Sequence, residues 1–396
     1  MATELPAQDG LPQTGDQPPA GYLDAASSAP LHPAARAALL AAMDLGFADP
    51  ARRYHAARVS SQLLAAARES IASIIGVRPE NVSFTTSGTS AVHLGVAGLA
   101  LGRSRAGSRV LASAVEHSSV LHAAQALPGS PLETLPVDRL GRIELPALEL
   151  ALAAGDIAFA AIQSANHEVG TRQPIEAAAQ MLEPTGVPLF VDAAQSVGHD
   201  TIPGGWSVLT ASAHKWGGPA GVGILAVRNG VRWRSPSPED PREYGRVPGF
   251  VPVPLVVAAA AALEAVERER AAESARLFAL VDLIRERVPQ LVPDAVVLGD
   301  PSDRLAHIVT FSCLYVDGES LLDELDRAGF AVSSGSSCVA DSLVPSHVLA
   351  AMGALTEGNV RVSLPNGVKA DDVDRFLTVL PDIVARVRAA LGATDL

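Results

Sequence analysis

The chain has 396 residues, a formal net charge of −13, and 48 % hydrophobic and 18 % charged residues. This length allows a sizeable core and two or three domains, while the acidic balance excludes the basic stripe that a nucleic-acid-binding surface needs. The two cysteines, Cys313 and Cys338, are too few for a disulfide framework and favour a reducing compartment.

The N-terminal segment, residues 1–20, is acidic, rich in proline and glycine, and without the hydrophobic run of a signal peptide. We expect a disordered tail there. The most apolar stretch, VPLVVAAAAALEAV, is short, follows prolines and is interrupted by Glu264, so it does not predict a transmembrane helix. We therefore expect a cytoplasmic protein without a membrane partner.

From residue 21 onward, apolar strand-like runs alternate with helical patterns, as in ENVSFTTSG, SRVLASAVEHSS, IAFAAIQSANHE and VPLFVDAAQSVG. This alternation predicts an α/β fold, with a mostly parallel central sheet in a large domain over residues 21–255. The helical segment AAAALEAVERERAAESARLFALVDLIRERV then leads into a smaller α+β C-terminal domain over residues 256–396.

Several of the predicted strands end in polar side chains that can take part in chemistry. In open α/β sheets, ligands bind beyond the carboxyl ends of the strands. The sequence therefore predicts one cofactor site at this edge of the sheet. The residues that converge there are Thr89, Ser90, His117, His167, Asp192, His214 and Lys215.

Lysine is rare in this chain: Lys215 and Lys369 are the only two. Lys215 lies in SAHKWGG, at the end of an apolar run and beside glycines, which is not typical of a surface lysine. A lysine amine can form a Schiff base with pyridoxal phosphate (PLP), whose ring nitrogen is paired with a carboxylate in PLP enzymes. Asp192, in LFVDAAQSVG, offers that carboxylate; the alternative is an aspartate that caps the next helix.

Two further motifs suit a phosphate and an aromatic ring. TTSGTSAVH places hydroxyls and free backbone N–H groups between a strand and a helix, which suits a phosphate, although a simple N-cap cluster would look the same. His117, in VEHSSVL, could stack on an aromatic cofactor ring, and a structural histidine is the alternative.

The C-terminal part offers a thiol and a guanidinium. Cys338 lies in VSSGSSCVADSLVP, which has loop composition, and an exposed thiol there is suited to nucleophilic attack; an incidental loop cysteine is the alternative. Arg361 is a single arginine in the short apolar strand NVRVSL. It could bind the α-carboxylate of a substrate through a bidentate contact, or form a structural salt bridge.

Taken together, these motifs resemble the cysteine desulfurases, which are PLP enzymes of fold type I in the class V aminotransferase superfamily. The resemblance runs from Tyr22 to Arg388. It rests on YLDAASSAP, FTTSGTS, EHSSVL, NHEVGT, VDAAQSVG, SAHKWGGPAGVG, SSGSSCVADSLVPSHVLAAMG and VRVSL. The long stretch after Cys338 is similar to the subgroup with the longer mobile loop.

The resemblance implies roles in binding the cofactor. Lys215 would carry PLP covalently, Asp192 would hold its ring nitrogen, and Gln195 would hydrogen-bond its phenolic oxygen. His117 would stack on the ring and shuttle protons. The phosphate would be held by Thr89, Ser90, Ser212 and His214.

The resemblance also implies the reaction. Arg361 would clamp the carboxylate of L-cysteine, and Cys338 would attack the substrate sulfur, keep it as a persulfide and release L-alanine. A homodimer and a sulfur-acceptor protein are implied as partners. The acceptor stays open among iron–sulfur cluster assembly, thiolation, DNA sulfur modification and natural-product synthesis.

Two positions depart from the family pattern. His167 stands where the family commonly has an asparagine that contacts the cofactor oxygen, which puts the electronic tuning of the cofactor in question while leaving a hydrogen bond possible. Phe250 stands where the family often has a threonine that the neighbouring subunit lends to the phosphate, so the phosphate affinity or the dimer contact is expected to differ.

Other activities remain open at this stage. A selenocysteine lyase, a C–S lyase or a class V aminotransferase would use much of the same site, and an aminotransferase would not need Cys338. A catalytically inactive PLP-fold protein that acts as a scaffold is a further alternative, against which Lys215, Asp192 and Cys338 all argue.

Overall fold

The structure is a computed structural model that describes residues 17–334 and 345–392. Most of the predicted N-terminal tail, residues 1–16, lies outside the described residues, and so does Cys338.

Seven strands form the larger sheet. In chain order they are β1 (Val82–Thr85), β2 (Arg109–Ser113), β3 (Leu132–Leu135), β4 (Ile157–Ala161), β5 (Leu189–Asp192), β6 (Val208–Ser212) and β7 (Gly223–Val227). Their order across the sheet is β1-β7-β6-β5-β4-β2-β3. β7 pairs antiparallel with β1 and β6, and the other pairs are parallel, which confirms the predicted α/β fold with a mostly parallel sheet.

Helices cover both faces of this sheet. Those that precede the last strand are α1 (Pro33–Leu45), α2 (His55–Ile74), α3 (Gly88–Arg103), α4 (Ser118–Gln125), α5 (Leu145–Ala154) and α6 (Ile175–Leu182). Successive residues of a strand face opposite sides of the sheet. Leu111 of β2 accordingly packs in one core cluster, while its neighbours Val110 and Ala112 pack in another. The central strands β4, β5 and β6 are buried along their whole length, as expected for parallel strands covered on both faces.

A long helix, α7 (Val253–Leu291), connects the larger sheet to a second one. Its first half packs small residues such as Ala258 and Ala262 into the larger core, and its second half buries Val281 and Ile284 in a separate core cluster. The predicted domain boundary at residue 255 falls in the first turn of α7 and stays a prediction. No helix in the described ranges combines the length and the apolarity needed to cross a membrane.

The second sheet has three antiparallel strands in the order β10-β9-β8. The elements of this part are β8 (Ala295–Leu298), β9 (Ile308–Cys313), α8 (Gly318–Arg327), α9 (His347–Ala351), β10 (Asn359–Ser363) and α10 (Ala370–Ala390). The N-terminal segment crosses to this sheet, because the N–H of Ala25 donates to the carbonyl of Ser363 at 3.0 Å. This crossing brings Ala26 and Ser27 next to the ends of the larger sheet's strands, and Asp24 next to Arg361 of β10.

Candidate active site

A cavity of about 640 Å³ lies at the carboxyl ends of the parallel strands, and we call it the strand-end cavity. Its wall contains nine of the eleven residues that the sequence predicts for the site. They are Thr89, His117, His167, Asp192, Gln195, Ser212, His214, Lys215 and Arg361. Ser90 does not line the cavity, and its backbone N–H donates to the Ser87 hydroxyl at 3.0 Å inside the first turn of α3. Cys338 lies outside the described residues.

Lys215 follows β6 in a single turn of 3-10 helix, Ala213–Lys215. Its neighbours Ala213 and Trp216 are buried, and the Trp216 indole donates to the Ala259 carbonyl at 3.1 Å, which fixes the backbone around the lysine. The amine, Nζ, donates to the carbonyls of Ala26 and Ser27, the latter at 2.9 Å. The lysine is therefore held inside the cavity and does not extend into solvent.

Asp192 ends β5 and is buried in the floor of the cavity. Its Oδ1 accepts the Ala194 N–H at 3.0 Å and lies 3.5 Å from the Thr210 hydroxyl. Burial raises the pKa of Asp192, and the charges of His117 and Lys215 lower it only in part. A buried carboxylate with so little compensation suits a cationic partner, such as a protonated ring nitrogen.

The opposite end of the cavity is built by the start of α3 and the end of β6. The Ser87 side chain caps α3, which begins at Gly88. A Cβ atom on Gly88 would lie 2.7 Å from the Cβ of Ser212, so only glycine allows this close approach. The Ser212 hydroxyl lies 3.0 Å from Nδ1 of His214. Hydroxyls and a helix N-terminus in one corner suit a phosphate group.

His214 is neutral at physiological pH. Burial, helped by the charge of Lys215, lowers the pKa of His214 to about 4. Its imidazole can therefore donate one hydrogen bond and accept another. It adds no positive charge to the phosphate corner, which is our name for the part of the cavity formed by Gly88, Ser212 and His214.

His117 caps α4 with its ring. Its Nδ1 accepts the Ser119 N–H at 3.2 Å and lies 2.7 Å from the Ser119 hydroxyl. The His117 ring meets that of His167 edge to face, with 5.1 Å between centroids. The ring is thus fixed at the cavity wall with Nε2 as the nitrogen that carries the proton in the neutral form.

The sequence pattern of the family described as "Aminotransferase class-V" matches residues 21–376. The chain belongs to the class-V aminotransferase family. PLP is the cofactor of this family, so the predicted cofactor is confirmed.

Among curated relatives, the chain is 33 % identical to "Cysteine desulfurase IscS" of Dictyoglomus turgidum, over 93 % of this chain and 95 % of the relative. It is 36 % identical to "IscS-like cysteine desulfurase" of Mycobacterium tuberculosis, over 94 % of this chain and 98 % of the relative. Among solved structures, a "NIFS-like protein" has a TM-score of 0.85 at 25 % identity, covering 93 % of this chain and 100 % of that chain. The resemblance to the cysteine desulfurases is confirmed.

Buried polar atoms without partners provide a test of whether the strand-end cavity fits PLP. Within residues 17–334 and 345–392, Oε1 of Gln195, Nδ1 of His167 and Nε of Arg361 are buried and make no hydrogen bond. Native proteins rarely leave such atoms unpaired. All three residues line the strand-end cavity, so the wall offers unmet hydrogen-bonding capacity where a polar ring and an amino-acid substrate would lie. The residues present fit the cofactor.

His167 is held neutral by its surroundings. Burial, followed by the charges of His117 and Arg361, lowers the pKa of His167 well below its ordinary value. Its neighbour Asn166 does not face the cofactor side, because its side chain donates to the Val115 carbonyl and accepts the N–H groups of Glu168 and Val169. Of the adjacent Asn166 and His167, the histidine is the one that lines the cavity.

Arg361 already has a carboxylate partner. Its Nη2 donates to Asp24 at 2.8 Å and to the Ser27 hydroxyl at 2.7 Å, and its Nη1 donates to the His167 carbonyl at 3.0 Å. The structural salt bridge considered for Arg361 is thus present. The guanidinium nevertheless lines the cavity, with Asp24 and Ser27 fixing its orientation.

Sequence reasoning missed four residues around the site. Ser346 donates from its hydroxyl to Oε2 of Glu168 at 2.6 Å, and His347 contacts the Glu116 carbonyl through Nε2 at 2.8 Å. Glu116 is fully buried, and burial followed by the charge of Asp192 raises its pKa well above the ordinary value. All four stand inside the motifs NHEVGT, EHSSVL and VPSHVL, but no pattern in the sequence indicates which of them meet in space.

Proposed function

We propose that this member of the class-V aminotransferase family is a cysteine desulfurase that converts L-cysteine to L-alanine and keeps the sulfur as a persulfide on Cys338. The observation that carries the proposal is the presence of the Lys215 amine and the buried Asp192 carboxylate in one cavity. The relatives named cysteine desulfurase support the choice of substrate. The family's cofactor and the unpaired groups of the cavity wall fit the same reaction.

PLP, when bound, acts as an electron sink that stabilises negative charge at the α-carbon of an amino acid. The role proposed for Asp192 is to keep the ring nitrogen protonated through its buried charge. Lys215 would hold the cofactor and, when its amine is released, take the α-proton of the substrate at Nζ. Its position beside the Ala26 and Ser27 carbonyls keeps that amine within the cavity.

The phosphate would bind in the corner of the cavity where the start of α3 meets the end of β6. Thr89, Ser212 and His214 would bind it with hydroxyl and imidazole groups, and Gly88 gives room for the close backbone approach. Ser90 would contribute only through its side chain or its place in the first turn of α3. His117 would stack on the ring, and Gln195 and His167 would contact its edge with the atoms that now lack partners.

Arg361 would bind the carboxylate of L-cysteine. The Asp24 and Ser27 contacts hold the guanidinium plane in place, and its Nε is still without a hydrogen-bond partner among the described residues. An arginine that is already oriented loses less conformational freedom when a carboxylate binds. The substrate carboxylate would therefore share this arginine with Asp24.

The choice of Cys338 as nucleophile is supported by the environment of the other cysteine. Cys313 is buried in β9, and burial raises the pKa of its thiol to about 11. A protonated thiol is a much poorer nucleophile than a thiolate. In the proposed step the Cys338 thiolate attacks the substrate sulfur, an S–S bond forms, and the C–S electron pair stays with the β-carbon, which becomes the methyl group of alanine after protonation.

We also propose a homodimer. Large apolar side chains at the end of α1 and just before α7 are exposed, among them Met43 at 59 %, Phe47 at 68 % and Phe250 at 58 %. The ends of the two helices are adjacent, since a Cβ on Gly46 would lie 3.2 Å from Val253. An exposed apolar cluster of this kind is typical of an interface. Light scattering on the wild type and on Phe47→Glu would test it, with a smaller mass expected for the variant.

A protein sulfur acceptor and a cytoplasmic location complete the proposal. A persulfide on Cys338 has to be passed on, and a reducing compartment keeps the attacking thiol free. The sequence's two cysteines are in keeping with such a compartment.

The test is turnover of L-cysteine by the PLP-loaded protein, with alanine and sulfide measured in the presence of a reductant. Wild type should release both products. Lys215→Ala and Cys338→Ser should release neither. A PLP-loaded wild type that leaves L-cysteine unchanged would contradict the proposed function, and Cys338→Ser with full alanine release would contradict the role of the thiol.

A further inference from the structure

His347 is a wall residue of the strand-end cavity that the roles proposed so far do not use. It is the first residue of α9 and is exposed, so a substrate that enters the cavity can reach it. Its Nε2 lies 2.8 Å from the backbone carbonyl of Glu116. Because a carbonyl oxygen only accepts hydrogen bonds, Nε2 carries the proton and Nδ1 of the neutral ring is left as an acceptor.

The backbone that carries His347 is held in place. The adjacent Ser346 is buried, donates to Glu168 at 2.6 Å and accepts the Leu349 N–H at 3.0 Å. His347 is thus fixed both through its ring, by Glu116, and through its backbone, by Ser346. An acceptor fixed in this way can select for a donor group on a ligand.

The residue next to His347 and the arginine proposed to bind the substrate contact the same short segment. Ser346 donates to Glu168 at 2.6 Å, and Arg361 donates to the carbonyl of the adjacent His167 at 3.0 Å. His347 and Arg361 both line the cavity beside this segment. A substrate whose carboxylate is held at Arg361 would therefore have its side chain in the cavity that the His347 ring lines.

We propose that His347 is a specificity-determining residue whose Nδ1 accepts a hydrogen bond from the thiol of L-cysteine and disfavours the ionised selenol of L-selenocysteine. The inference rests on the proposed function and addresses the choice between two substrates that the same site could accept. At about pH 7.5 a cysteine thiol, with an ordinary pKa of about 8.5, keeps its proton, whereas the more acidic selenol has lost it. A lone pair on Nδ1 attracts the former and repels the latter.

Two substitutions of His347 separate the role of Nδ1 as an acceptor from the role of Nε2, which anchors the ring on the Glu116 carbonyl. His347→Asn places an amide oxygen near the position of Nδ1 and keeps the acceptor, while losing the reach to the Glu116 carbonyl. His347→Gln places an amide N–H near the position of Nε2 and keeps the anchor, while losing the acceptor. The measurement is kcat/KM for L-cysteine and for L-selenocysteine with PLP-loaded wild type and both variants, at about pH 7.5.

The wild type should prefer L-cysteine. In His347→Gln the ratio of the two kcat/KM values should fall about tenfold, because one hydrogen bond of ordinary strength is lost for cysteine only, and His347→Asn should keep most of the wild-type ratio. An unchanged ratio in His347→Gln, or an equal loss for both substrates in both variants, would overturn the inference while the desulfurase activity stands. A wild type that turns over neither substrate would overturn both the inference and the proposed function.

Discussion

Arg68 and Glu243 form a buried bidentate ion pair, with distances of 2.8 Å from Nη1 to Oε2 and 2.6 Å from Nη2 to Oε1. Glu243 also accepts the Phe84 N–H at 2.8 Å and so joins the start of the larger sheet. Both Glu243 and Tyr244 have positive φ angles, 47° and 57°, which residues other than glycine rarely adopt. The ion pair therefore holds a strained turn on the path from β7 to Phe250 and α7.

Removal of one partner should destabilise the protein strongly. Arg68→Met leaves the Glu243 carboxylate buried without its counter-ion, and we expect the free energy of unfolding to fall by about 3–5 kcal/mol. Urea denaturation at neutral pH measures the change. The matched control is Arg52→Met, which removes the exposed partner of Asp49 and should cost less than about 1 kcal/mol. Equal effects of the two substitutions would contradict the importance given to the buried pair.

Histidines that the fold holds neutral should make the protein sensitive to acid, and the half-buried His199 allows the direction of this pH effect on stability to be tested. His199 lies 2.8 Å from the Lys215 carbonyl through Nε2 and stacks on His307 with 4.1 Å between centroids. Burial is the main reason that the pKa of His199 is lowered; the charge of Lys215 also lowers it, while that of Asp200 raises it. Because its pKa is lower in the folded state, the unfolded chain binds more protons below about pH 6.5, and the contribution of His199 to stability is lost as the pH falls.

The variant His199→Gln isolates this contribution. A glutamine can still donate to the Lys215 carbonyl but does not titrate. Relative to the variant, wild type should lose up to about 2 kcal/mol of unfolding free energy between pH 6.5 and pH 5. The difference between the two proteins cancels the titration of carboxyl groups such as Glu116, whose raised pKa acts in the opposite direction. A difference that does not change with pH would show that His199 is not held neutral by the fold.

The sequence predicts which residues lie together but not the contacts between them. The rule that ligands bind beyond strand ends places Asp192 and Lys215 together, and both line the strand-end cavity because the strands β5 and β6 are neighbours. The contacts of Arg361 with Asp24 and of Ser346 with Glu168 join residues 337 and 178 positions apart. Such pairs depend on which chain segments lie side by side, and local patterns of apolar and polar residues carry no such information.

Gly88 should control the affinity for PLP through the phosphate corner. In Gly88→Ala the added methyl group would lie 2.7 Å from the Ser212 Cβ, so the start of α3 and the end of β6 have to separate. The groups of α3 and β6 that would bind the phosphate are then displaced relative to each other, so we expect PLP to bind roughly tenfold more weakly, which corresponds to the loss of about one hydrogen bond. The measurement is the dissociation constant of PLP, from the absorbance of the bound cofactor.

The matched control for this glycine is Gly204→Ala, where the nearest atom to an added Cβ is the flexible end of Glu176 at 3.8 Å. This variant should bind PLP as the wild type does. Wild-type affinity in Gly88→Ala would mean that the phosphate lies elsewhere in the cavity.

The two cysteines should differ sharply in reactivity. Cys313 is 1 % exposed in β9, and its pKa of about 11 leaves roughly one thiolate in a thousand at pH 8. Folded Cys338→Ser should therefore show no thiol that reacts rapidly with a disulfide reagent such as DTNB, and one such thiol after denaturation in guanidinium chloride. Folded Cys313→Ser should keep one reactive thiol. Rapid labelling of folded Cys338→Ser would mean that β9 opens readily, and would remove the physical argument that assigns the sulfur chemistry to Cys338.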